Sequence, residues 1–169
     1  NNCRYHISQI SSASSVEIIR ERKSKVNFSC GVSINNLSLN ENDIGDFKTF
    51  LKLSPPLRTE DDRNALVQGL VDETIDVIVS DHKPEDEENK RLTFAQAETG
   101  ASGIETLLPL SLELYHNGSV SLETIIKALT SSPAKILKIN KGNLSIGNDA
   151  DFCIVDLSLI HISEPTRLR

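Results

Sequence analysis

The sequence predicts an α/β fold built on a parallel sheet. Three observations carry that prediction. Short strand-like runs recur along the chain, and helical patterns separate them. Residues 75–79, IDVIV, are rich in Val and Ile and bounded by acids on both sides, which suits a parallel strand buried on both faces. The stretch TEDDRNALVQGLVDE opens on Thr59 with acids in its first turn, the pattern of a capped amphipathic helix.

In chain order, Tyr5 to Ile10 alternates apolar and polar residues and then meets serines, so a short strand and a turn are expected. Ser14 or Ser15 can cap a helix over VEIIRERK, with Val16, Ile18 and Ile19 on its inner face. Residues 26–32 read as the next strand, with Phe28 and Cys30 inward. Residues 33–47 are rich in Asn, Ser and Asp and read mostly as loop. Residues 52–56 read as a short strand that must stop at Pro55-Pro56, because proline donates no ladder hydrogen bond. After the helix from Thr59 and the strand at 75–79, residues 81–103 form a long polar loop whose charged run, EDEENKR, is expected to face solvent. Helices follow at 104–116 and 122–129, and Ser132-Pro133 opens a shorter one ending at Leu137. GNLSIGNDADFCIVDL reads as a turn plus a strand of a small β unit.

Bulk properties narrow the function classes. The 169 residues suit one domain of ordinary size, with 38 % hydrophobic and 25 % charged residues. A net charge of -6 leaves no basic footprint for nucleic acid. No apolar run reaches the roughly 18 residues that span a bilayer, and no signal peptide is visible. Cys3, Cys30 and Cys153 form neither a metal pair nor a disulfide framework, and they read as small buried residues of a cytoplasmic protein. The chain has no Met and enters a strand almost at once, so a piece of a longer protein is expected. The last residues, SLIHISEPTRLR at 158–169, break the pattern and read as a non-native tail.

In parallel α/β folds chemistry sits at the carboxyl ends of the strands. Such ends carry His6 to Gln9, Asn35-Asn36, Ser54-Pro55-Pro56 and Asp81. The strand VIV running into SDHKP, residues 77–84, is the most pointed case. An acid there suits a turn or cap as well as a catalytic site.

Several motifs then appear in order: LSPPLRTEDDRNALVQGLVDETIDVIVSDHKP, FAQAETGASGIETLLPL, SPAKIL and GNLSIGNDADFCIVD. Together they resemble the dihydroorotase branch of the amidohydrolase superfamily, from about residue 4 to residue 157. The resemblance implies a (β/α)₈ metal-dependent hydrolase barrel, of which this chain supplies the last three strands, plus part of a small β domain. The expected division is 1–138 for the barrel part, 139–157 for the β domain and 158–169 for the tail. It also implies zinc-assisted hydrolysis of a cyclic amide, interconverting dihydroorotate and carbamoyl aspartate in pyrimidine biosynthesis.

By the same resemblance Asp81 is the residue that touches metal and shuttles a proton. Gln9 falls where the family places a zinc-binding His, and an amide oxygen is a weaker ligand than imidazole. Ser54, Glu85, Thr99 and Gly100 fall on positions that contact substrate, with Ser54 and Glu85 standing where the family has Asn and His. Asn35-Asn36 stand in a Pro-His-His segment. The scaffold motifs therefore persist, while most chemistry positions differ. The family's other metal ligands have no counterpart here, so this chain alone is expected not to assemble a binuclear zinc site and to be inactive, and its open sheet edge predicts marginal stability.

Of the remaining polar residues, His82 reads as a structural hydrogen-bonding residue, His6 as a core histidine, His116 as surface, and Arg58 as a loop anchor. Glu85 can pair with Lys83 or Lys90 at little gain. Two functions remain open. One is a cyclic-amide hydrolase taking dihydroorotate first and hydantoin-like rings second. The other is a non-catalytic dihydroorotase-like partner of aspartate carbamoyltransferase. Both place the protein in the cytoplasm, oligomeric in its longer form, with no nucleic-acid or membrane partner.

Overall fold

The computed structural model describes residues 3–157. Its frame is a three-stranded sheet ordered β1-β2-β3, with both pairs parallel. The strands are β1 (Tyr5–Ile10), β2 (Phe28–Ser33) and β3 (Val77–Val79). Parallel neighbours need crossover connections rather than tight turns. Helix α1 (Ala13–Arg22) makes the first crossing. Helices α2 (Ile34–Ser38) and α3 (Glu60–Val71) make the second. After β3 come α4 (Glu87–Lys90), α5 (Ile104–His116), α6 (Leu122–Leu129) and α7 (Ser131–Leu137). The expected parallel α/β order holds, and β1, α5 and α6 have the expected bounds.

Local chemistry explains where these elements begin. Ser12 Oγ accepts the Ser15 N–H at 3.3 Å and caps α1, upstream of the serines expected to do so. Thr59 Oγ1 accepts the Asp62 N–H at 3.2 Å and caps α3, whose first turn holds Glu60, Asp61 and Asp62. Alternation along β2 sends Cys30 and Val32 to the helical side, where they join Val16, Ile19, Leu66, Leu70, Ile78 and Ile125 in one core. Ser29, Gly31 and Ser33 take the opposite face of β2. Ile18 departs from expectation and is 62 % exposed. At about 100° per residue it lies about 200° round the helix from Val16, so one face cannot bury both.

Other departures have physical reasons. Residues 33–47 are not mostly loop: Ile34 and Leu37 are fully buried and anchor α2. A 3₁₀ turn follows at Glu41–Ile44, where Asn40 accepts the Asn42 N–H and Asp43 accepts the Asn40 N–H, each at 2.8 Å. Asn, Ser and Asp read as loop in sequence because the same side chains that break helices also cap them. Residues 52–56 form no strand. Lys52 O instead takes the Gly100 N–H at 2.9 Å, and the Ser54–Pro55 bond is cis. Residues 142–157 form a turn without the expected strand, and Ile146 and Ile154 there are almost wholly exposed. A strand needs a ladder partner, and none of the described residues offers one. Only Cys30 of the cysteines is buried; Cys3 and Cys153 are exposed. The tail at 158–169 lies outside the described residues.

Candidate functional site

Asp81 follows the end of β3 with φ of 50°, a left-handed conformation that few non-glycine residues adopt and that Asp tolerates better than most. Its Oδ1 accepts a hydrogen bond from Gln9 Nε2 at 2.7 Å. Gln9 lies at the end of β1, where the pairing with β2 slips between Ile7 and Ile10. That irregularity lets Ile7 and Ile10 both reach the core, and Gln9 between them reaches Asp81. Bulges of this kind recur beside active sites because they re-aim one side chain. The bond joins the two outer strands across β2. Gly31 permits the approach: a Cβ there would stand 2.7 Å from Ser8 O and 2.9 Å from Val77 Cγ2.

The loops carrying the other expected site residues are tied to one another. Gly100 N–H donates to Lys52 O, two residues before Ser54, which is exposed. Lys83 N–H donates to Ala101 O at 2.9 Å, and Lys83 Nζ reaches Thr99 O at 2.7 Å. The same ammonium pairs with Glu85 at 3.1 Å. The Glu85 side chain is only 18 % exposed and that of Lys83 56 %, so the acid is the sheltered member of the pair. Gly100 is buried at φ 140°, and a Cβ there would lie 2.3 Å from Lys83 O, so only glycine fits. Ser54, Glu85, Thr99 and Gly100 thus lie on three linked segments beside the end of β3. Asn36 adds a further link, donating from Nδ2 to Pro56 O at 3.1 Å. Asn35 Nδ2 and Asn36 Oδ1 are buried without a partner among the described residues.

A profile of the amidohydrolase family matches residues 2–168. The chain belongs to the amidohydrolase family. It is 42 % identical to a dihydroorotase of Ehrlichia canis over 93 % of this chain and 35 % of that protein. It is 37 % identical to a dihydroorotase of Desulforapulum autotrophicum over 97 % of this chain and 38 % of that protein. Among solved structures it resembles an L-hydantoinase (dihydropyrimidinase) from Arthrobacter aurescens, at a TM-score of 0.84 and 29 % identity, covering 89 % of this chain and 35 % of that one. The chain therefore spans about a third of the length of these relatives. The three parallel strands and their helices are part of the (β/α)₈ barrel of the amidohydrolases, with Asp81 at the strand-end face.

The amidohydrolase family is generally metal-dependent. Among the described residues no group of three or more His, Cys, Asp and Glu is placed to hold a metal. Asp81 is a carboxylate at the strand ends, and the Gln9 amide that faces it presents an N–H donor rather than an oxygen. An N–H donor repels a cation, so this arrangement does not fit a metal centre by itself. Gln9, expected as a weak ligand, acts here as a hydrogen-bond donor to Asp81. His82 is structural as expected: its Nδ1 accepts the Gly103 and Ile104 N–H groups at 3.1 and 3.3 Å and serves the start of α5. His6 is exposed rather than in the core, and its Nδ1 meets Ser29 Oγ at 2.8 Å. Arg58 anchors a loop through Ser11 Oγ at 2.9 Å.

Lys90 is the residue that the sequence hides. Within a run that reads as solvated charge it is only 4 % exposed. Its Nζ donates to Glu98 O at 2.7 Å and Thr49 O at 3.2 Å. Burial pulls its pKa down from the usual lysine value, against the opposing pull of the Glu85 carboxylate. A lone Lys in an acidic run gives no sequence signal of burial.

Proposed function

We propose that the longer protein to which this chain corresponds is a dihydroorotase, hydrolysing a cyclic amide ring in pyrimidine biosynthesis. The observation that carries the reading is Asp81, the carboxylate held at the barrel's strand-end face by Gln9. The dihydroorotases that match over nine-tenths of the chain support the substrate assignment. The dihydroorotase matches do not favour the non-catalytic alternative, a partner of aspartate carbamoyltransferase, for which the Gln9 donor beside Asp81 speaks.

Ring opening adds water across a C–N bond. A hydroxyl group joins the carbonyl carbon, the ring nitrogen leaves, and the water's proton ends on that nitrogen. Asp81 takes the proton from water as general base and returns it to nitrogen as general acid. A carboxylate suits this role, and the Gln9 N–H fixes its orientation. The Ser54 hydroxyl and the Thr99–Gly100 segment line the ring's polar edge. Glu85 accepts a ring N–H, and its Lys83 partner offsets its charge beside an anionic substrate.

Zinc is proposed as the metal of the whole protein. The described residues offer it Asp81 at most, with the Gln9 oxygen available only if the amide turns over, so the remaining ligands belong to segments outside this chain. Residues 1–138 are proposed as the barrel part and 139–157 as part of the small β domain. No helix among the described residues is long and apolar enough to cross a membrane. A cytoplasmic, oligomeric enzyme is proposed, with aspartate carbamoyltransferase as the protein partner to test.

The test is turnover of dihydroorotate and zinc content in the full-length protein. Asp81→Asn is expected to lower turnover by about 100-fold or more, the usual worth of a general base. Equal rates in wild type and variant, or no turnover by zinc-replete wild type, would reject the reading.

A further inference from the structure

Residues 93–100 carry two of the proposed substrate contacts and contain no helix or strand. Three lysine ammoniums nevertheless hold their carbonyls. Lys52 Nζ donates to Ala95 O at 3.0 Å and Ala97 O at 2.6 Å. Lys83 Nζ donates to Thr99 O, and Lys90 Nζ to Glu98 O, each at 2.7 Å. Four carbonyls of one short loop thus face cations. Lys90 is the deepest of the three, and Thr49 Oγ1 returns a bond to its own carbonyl oxygen.

A buried ammonium is unfavourable unless its donors are used, so Lys90 has strong geometric preferences. General stabilisation of the fold would account for one such residue. It does not account for where the three originate. Lys52 lies two residues before Ser54, Lys83 lies midway between Asp81 and Glu85, and Lys90 ends the helix that follows Glu85. Lys52 and Lys83 thus join the Thr99–Gly100 loop to segments that bear other site residues. Lys90 joins it to Thr49, on the segment leading into Lys52.

We propose that Lys52, Lys83 and Lys90 are positioning residues that clamp the 93–100 loop in register with Asp81, with buried Lys90 as the anchor. The clamp sets where Thr99 and Gly100 meet the ring, and so governs substrate binding rather than the proton transfers. The inference rests on the dihydroorotase reading for its kinetic consequence, and on geometry alone for the loop's order.

The experiment compares full-length wild type with Lys90→Met, Lys83→Met and Lys83→Arg, by steady-state kinetics with dihydroorotate and by hydrogen exchange of the loop amides. Lys90→Met is expected to raise KM about tenfold with kcat within about threefold, the signature of lost binding rather than lost chemistry. Amides at 98–101 are expected to exchange about tenfold faster or more. Lys83→Met should act in the same direction more weakly, and Lys83→Arg should restore KM. Unchanged KM, or a KM rise with loop exchange as in wild type, overturns the clamp. If Lys90→Met does not fold, loop exchange in the half-exposed Lys83 variants decides the matter, because their KM also reflects the Glu85 pairing. If wild type turns over no dihydroorotate, the function reading fails, and the exchange data alone still sustain or overturn the clamp.

Discussion

Cys30 shows how surroundings set a side chain's chemistry. It is fully buried, its Sγ–H faces Thr74 O at 3.3 Å, and its N–H donates to Asp76 Oδ2 at 2.9 Å. Burial first, and the Asp76 carboxylate second, push the thiol up to about 11, against the opposing pull of Lys23. At pH 8 only about one molecule in a thousand would carry the reactive thiolate, even with reagent at hand. Native-state alkylation is therefore expected to label Cys3 and Cys153 and to leave Cys30 untouched until the protein is denatured. Peptide mass spectrometry reads this directly, and native labelling of Cys30 at the rate of Cys3 would contradict it. Asp81 contrasts with this inert thiol. Its carboxylate is half-buried, accepts a hydrogen bond from the Gln9 amide, and sits on left-handed backbone at the end of β3.

At the scale of elements, the site depends on how closely the three strands approach. Gly31→Ala would press a methyl against Ser8 O and Val77 Cγ2, and the backbone oxygen cannot swing away as a side-chain tip can. Destabilisation of about 1–3 kcal/mol is expected, the usual scale of overpacking. Ser29→Ala on the same face is expected to change stability by less than about 0.5 kcal/mol. Urea unfolding of both variants checks the contrast, and equal stabilities would mean that β1 can move away freely. The strands themselves were largely legible, because alternation and β-branched runs are local signals: β1 has the bounds its pattern predicts, and β2 and β3 start two residues later than expected. The candidate site was legible at Asp81 through its motif. At Gln9 the position was legible but its role as donor to Asp81 was not, because its aim depends on a strand irregularity; Lys90 was illegible, because its burial depends on a loop folding over it. Residues 52–56 misled for a related reason. Their apolar pattern is that of a strand, but their carbonyl at Lys52 is taken by the Gly100 loop rather than by a ladder.

The whole molecule carries a net charge of -6, and its acids are held by donors spread over several elements. Arg63 and Asn40 pull Glu60 down to about 2 from 4.5. The Ala13 N–H, then Thr59, hold Asp62 below the usual carboxylate value and tie α1 to α3. Burial opposes ionisation of Asp72, but bonds from Thr74 and Arg20 outweigh it. Lys127 lowers Glu73, and Lys141 lowers Asp149. A carboxylate whose folded pKa lies below its unfolded one adds stability above the unfolded value and loses it as pH falls through the folded value. These groups all act in that sense, so the urea midpoint is expected to fall steadily from about pH 5 to about pH 2. Salt separates the contributors. The exposed Glu73–Lys127 and Asp149–Lys141 pairs are screened. The bond from the Ala13 N–H to Asp62, at 2.8 Å, is local and far less so. In high salt the remaining acid slope is therefore expected to depend on Asp62 together with Glu60 and Asp72, whose hydrogen bonds are equally local. Asp62→Asn should lower the midpoint at neutral pH and flatten the slope that survives salt. A variant with the wild-type slope in high salt would show that the link between α1 and α3 does not rest on this carboxylate.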